Sequence, residues 1–140
     1  MLENILSELQ NNTIIYTSLI LIIGDTVLGF LRSCKEKTIN SSIGIAGVTK
    51  KTSIIIALII AFFIDLLLDF NMIGFIPENI RDFVKIQEIG ILEIFGILFI
   101  VFESLSILKN LDKLNVPIPG KLKSLLEKLL KEITSENDNS

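Results

Sequence analysis

The sequence has no histidine and no tryptophan, and holds one cysteine, one tyrosine and three prolines in 140 residues. Without His, and with a lone Cys, a metal site would have to be built from carboxylates alone. A disulfide within the chain is ruled out. Also missing are a nucleophile elbow and any carboxylate–imidazole pair for acid–base work. The stretch GIAGVTKKTS has a passing likeness to a phosphate loop, but its spacing is wrong and no strand precedes it. No cofactor, no metal and no enzymatic activity are therefore expected. A formal charge of -3 gives no reason to expect nucleic acid as a partner.

What is present is apolar and comes in blocks. Half the residues are hydrophobic, and the mean hydropathy is +0.64. A water-soluble domain spreads its apolar residues at period 2 or 3.6, whereas SIIIALIIAFFI has no polar face at all. A bilayer core needs about 20 apolar residues of helix. Three segments meet this, at about 13–31, 52–70 and 88–108. The first is not read as a signal peptide, because Glu3 and Glu8 precede it and no base does. The expected fold is thus an all-α integral membrane protein with three transmembrane helices and a cytoplasmic C-terminal amphipathic helix. Residues 1–12 form a short amphipathic segment, 13–108 the membrane domain, 109–133 a basic amphipathic tail and 134–140 a disordered end.

Basic residues set the orientation. The N-terminal segment has none, the first loop has Arg32, Lys35, Lys37, Lys50 and Lys51, and the tail has six Lys, Lys121 and Lys123 among them. Positive residues stay in the cytoplasm. The first loop and tail are accordingly placed inside and the N-terminus outside, with Arg32, Lys35, Lys50, Lys51, Lys121 and Lys123 as basic anchors on the anionic inner surface.

The acids within the apolar runs need a reason, since a charge at mid-bilayer costs at least about 2.5–3.5 kcal/mol. At about 1.5 Å per residue, Asp25 and Glu103 fall in the inner half, and Asp65 and Glu93 in the outer half. Glu93, Gly96, Ile100, Glu103 and Ser104 share a stripe on the third span. Ser18, Asp25 and Arg32 repeat every seven on the first, with Gly29 and Ser33 at four-residue steps after Asp25. Asp25, Gly29, Asp65, Glu93, Gly96 and Glu103 therefore make a candidate oligomer or pore seam, small residues permitting close approach and acids serving as polar glue. No base is expected inside the spans. One reading keeps the acids neutral in a packed bundle and ionises them when a lumen fills with water. A second makes the chain a small ion channel or transporter, against which stand the lack of internal repeats and of an aromatic belt.

Two stretches carry a family likeness. DTVLGFLRSCKEKTINSSIGIAGVTKK (25–51) resembles the first-loop signature of the phage-lysis and toxin-secretion holin family: an Asp in the first span, Gly four residues on, a basic turn, NSSIG and then KK. FESLSILKNLDKLNVPIPGKLKSLLEKL (102–129) resembles its second signature, a Glu entering SIL-N, then VPIP and a basic amphipathic end. Phe102 and Lys109 stand where many phage members have Asn and Glu, and this departure is closer to the clostridial, TcdE-type branch that accompanies large glucosylating toxins. The resemblance implies a homo-oligomer in the bacterial cytoplasmic membrane that opens a lesion without cofactor or nucleotide. Its implied partners are the lipid bilayer, its own copies and, as cargo, a large clostridial toxin or an endolysin. An inhibitory holin partner would share the same spans, and that alternative stays open.

Overall fold

The computed structural model describes residues 3, 7, 9, 12–68, 71–78, 81, 89–125, 127 and 128, the side chains of 42 and 43 excepted. Most of residues 1–12, the stretch 82–88 and residues 129–140 lie outside the described residues. The rest is three long helices: α1 (Thr13–Glu36), α2 (Ser41–Leu68) and α3 (Ile91–Lys113), with one 3₁₀ turn at Ile73–Phe75. Among the described residues there is no strand. Each helix is long and apolar enough to cross a membrane.

Each helix has a chemical start or stop. Asn12 caps α1, its Oδ1 accepting from Ile15 N at 3.1 Å. α1 ends when Lys37 turns left-handed (φ 54°). The amides of Lys37 and Thr38 then return to Cys34 O and Ser33 O, which satisfies carbonyls the helix leaves open. α3 closes likewise at Asn115 (φ 63°), with Pro117 just beyond, where a helix cannot continue.

The second helix is longer than its hydropathy suggests. The stretch 41–51, expected as loop, is helical, and the connection from α1 shrinks to residues 37–40. Hydropathy marks where a helix is greasy, and polar Ser41, Thr49 and Lys50 hid one that runs on into the interface. Gly44 and Gly47 weaken that turn but do not break it, since glycine costs only about 1 kcal/mol in a helix.

α1 and α3 form the main interface; α2 packs chiefly on α3 and touches α1 little. The core is Ile22, Ile54, Leu58, Ala61, Phe62 and Leu92, with Ile14 and Phe99 against it. Outside, Ile20, Ile23, Ile60, Leu67, Ile97 and Val101 are all exposed. A bundle this small with an apolar outside is built for lipid. Gly96 is where α1 and α3 come closest, for a Cβ there would overlap Ile14 Cγ2.

Glycines in this fold should therefore divide in two. Gly96→Ala is expected to lose about 1–3 kcal/mol through overpacking. Gly47→Ala, whose Cβ would meet nothing, should gain up to about 1 kcal/mol. Denaturant titration in micelles, followed by far-UV circular dichroism, separates them.

Candidate functional site

Lys51 sits on α2 about two turns inside the apolar span that starts at Gly44, and its ammonium faces inward. Its Nζ donates to Asp25 Oδ2 on α1 at 2.7 Å and to Glu103 Oε2 on α3 at 2.6 Å. One ammonium thus joins all three helices. The expectation that no base lies within the spans is corrected by this contact. The reason is the longer α2, which carries Lys51 from a supposed loop into the bundle. Asp25 and Glu103 are 8% and 4% exposed, so both acids turn into the protomer rather than toward lipid.

The cluster extends toward the Arg32 end through a residue that sequence reasoning missed. Asn110, 4% exposed, donates from Nδ2 to Asp25 Oδ1 at 2.7 Å. Its Oδ1 accepts from Arg32 Nη1 at 2.9 Å. Gly29 stands beside this contact, where a Cβ would meet Asn110 Nδ2 at 3.7 Å, an ordinary van der Waals distance. Asn110 lies past the apolar end of its helix, where only the pairing of α1 with α3 gives it a role. The one available signal was the seven-residue step from Glu103, which puts both on one face.

Asp65 and Glu93 meet at the opposite end, in a different task. Asp65 Oδ1 and Oδ2 accept from Ile91 N and Leu92 N at 2.8 and 2.7 Å. Glu93 Oε2 accepts from Gly90 N at 2.7 Å. An acid on α2 thus supplies the N-cap that Gly90 cannot, and favours the positive end of the α3 dipole. Gly90 has no Cβ that would collide with Asp65. Gly96 lies between the two acidic groups and joins neither.

The remaining basic residues are peripheral. Lys35 Nζ donates to Lys113 O at 3.0 Å, Lys50 and Lys121 are exposed, and Lys123 pairs with Asp112 at 2.9 Å. The hydrogen bond that Lys123 donates to Asp112 raises its ammonium above the ordinary value, so it stays charged. A solvated pair of this kind adds little stability. Cys34 is a free, exposed thiol.

A profile described as the bacteriophage holin family matches residues 5–131. The chain is 36% identical to the holin-like protein TcdE of Clostridioides difficile over 131 residues, 94% of this chain and 79% of that one. The chain belongs to the bacteriophage holin family. An uncharacterized 14.9 kDa protein from the nagH 3' region of Clostridium perfringens is also 36% identical, over 81% of this chain and 74% of its own. No solved structure gives a significant match. Membership and three apolar helices make this holin-family chain a multi-pass protein of the cytoplasmic membrane.

Two predictions follow from the geometry. Lys51→Met should cost about 3–5 kcal/mol, because it leaves two buried carboxylates facing each other. Adding Asp25→Asn and Glu103→Gln should recover most of the loss, which unfolding in micelles would measure. At the other end Asp65→Ala should cost about 1–2 kcal/mol. Asp65→Asn, with one oxygen left to accept, should fall between it and the wild type in the same titration.

Proposed function

We propose that this chain is a holin-type pore former of the bacterial cytoplasmic membrane, which oligomerises and permeabilises it to release a toxin or lytic enzyme. The observation that carries the reading is a charged cluster enclosed by a bundle whose outer surface is apolar. In the cluster two carboxylates share one ammonium, and holding these groups away from water is costly inside a lone protomer. Lateral association offers a better environment. Rotating the Asp25, Glu103 and Lys51 faces toward a common water-filled lumen hydrates them, and the apolar faces meet lipid or neighbours. Gly29, Gly96, Asp65 and Glu93 belong to the same seam, keeping the helices close enough to move as a unit.

In this reading the N-terminus is outside and the C-terminus cytoplasmic. Four bases of the first turn, Arg32, Lys35, Lys37 and Lys50, still support that side after Lys51 is removed from the loop charge. The basic tail, helical over residues 120–125, lies on the anionic inner surface with Lys121 and Lys123 toward the headgroups. No catalytic step and no cofactor are involved. Toxin is the preferred cargo because FESLSILKN resembles the clostridial branch.

The test is controlled expression in a bacterium carrying a cytosolic reporter enzyme, with membrane potential and external reporter activity followed together. A lag followed by abrupt depolarisation and reporter escape is expected, and Asp25→Asn with Glu103→Gln should shift the lag. Depolarisation without escape would point to a small-solute channel. Silence of the chain alone would point to an inhibitory partner, and an unchanged lag in the double variant would remove ionisation from the mechanism.

A further inference from the structure

The connector between α2 and α3 is closed at its base. Asn71 Oδ1 accepts from Ile73 N at 2.9 Å and from Ile89 N at 3.2 Å. Met72 N donates to Ile89 O at 2.8 Å. The two contacts to Ile89 form a neck one residue before Gly90, the N-cap of α3. On the α2 side of this neck the chain turns at once into the 3₁₀ helix Ile73–Phe75. Phe75 N returns to Met72 O at 3.0 Å, and Ile76 N to Ile73 O at 3.1 Å. The Phe75 backbone is thus one hydrogen bond from Met72, and Met72 is one hydrogen bond from the residue that precedes the cap of α3. Its place is set from the α2 side and does not depend on the length of chain after Pro77.

Phe75 is 85% exposed, more than any other large hydrophobic residue among those described. It belongs to the uncharged run MIGFI at 72–76, which Asn71 bounds on one side and Pro77 and the exposed Glu78 on the other. A ring held this firmly at the head of two spans has three candidate neighbours: water, protein or lipid. Water leaves the gain from burying the ring unused. A Phe side chain offers about 150–250 Å², well short of the about 800 Å² per partner that a stable protein contact buries. Lipid is already at hand. α2 ends its span at Leu68 and α3 begins its own at Ile91, so the neck stands where both spans leave the membrane. The exposed Leu67 and Leu68 carry an apolar surface to that same end of α2.

We propose that Phe75 is an interfacial anchor, its ring inserted among lipid headgroups and upper acyl chains at the end of the bundle opposite Arg32. Asn71 is its positioning residue: one carboxamide oxygen ties the turn to the start of α3 and so sets the depth of the ring. The assignment rests on the chain crossing a membrane and is independent of pore formation.

The chain has no Trp, so Phe75→Trp places a single indole at the site. The experiment is its fluorescence in the full chain, reconstituted in phosphatidylcholine–phosphatidylglycerol vesicles. Some vesicles carry lipids brominated near the headgroup and others lipids brominated near the chain end, and acrylamide is added on both sides of the membrane. Blue-shifted emission is expected, quenched more by the shallow bromines than by the deep ones and only weakly by acrylamide. Adding Asn71→Ala should shift the emission to the red and weaken the shallow quenching, with circular dichroism unchanged. Asn71→Asp, which keeps an oxygen to accept both amides, should restore the pattern of Phe75→Trp alone. Emission of an indole in water, quenched by acrylamide and untouched by either bromine, would overturn the proposal. So would a blue shift without bromine quenching, which would put the ring against protein. Loss of that shift on diluting the chain in lipid would then assign the contact to a second copy, and its persistence to the chain's own connector. An Asn71→Ala pattern equal to that of Phe75→Trp alone would overturn the positioning role.

Discussion

The structure depends on one ammonium shared by two carboxylates. Asp25 on α1 and Glu103 on α3 are both enclosed, and neither has a partner of opposite charge on its own helix within the bundle. Only α2 can bring one, and it does so only by beginning as early as Ser41 and keeping helical phase through two glycines to Lys51. The short turn at 37–40 and the left-handed Lys37 are both conditions for that meeting. Buried ion pairs add less stability than their Coulomb attraction suggests, because desolvation opposes it. What this one adds is register, since three helices that slide or rotate separately would strand a charge.

The two ends of the bundle use acids in opposite ways. At the Arg32 end carboxylates, amide and guanidinium form a chain of charge-assisted bonds from Glu103 through Lys51, Asp25 and Asn110 to Arg32. At the other end Asp65 and Glu93 accept from backbone amides and need no cation. Between them lies a dry core of Ile, Leu, Ala and Phe. The polar contacts thus stand at the two ends, and the middle is held by apolar contacts that are individually weak.

Much of this was legible in the residues. Three apolar runs gave three helices, and depth alone paired Asp25 with Glu103 and Asp65 with Glu93. Lys51 escaped because a window of hydropathy treats a lysine as the mark of an ending. The stretch SSIGIAGVT is helical although its described side chains are exposed, and local polarity does not reveal that state. Asn110 escaped for a related reason: an amide beyond an apolar run acquires meaning only from the helix opposite. The task of Asp65 was hidden because capping is ordinarily sought within a few residues of the helix it serves, and here the acceptor is 26 residues away.

The Asp65 clasp has a consequence for the segment it spans. Because a side chain on α2 fastens the first turn of α3 directly, the connector between them is relieved of holding the two helices in place. Lengthening it would cost little beyond loop-closure entropy, about 0.6 kcal/mol for each doubling. That stretch is accordingly the part of the molecule most open to insertion, tagging or drift among relatives, while the acid at its start and the glycine at its end stay tied to each other.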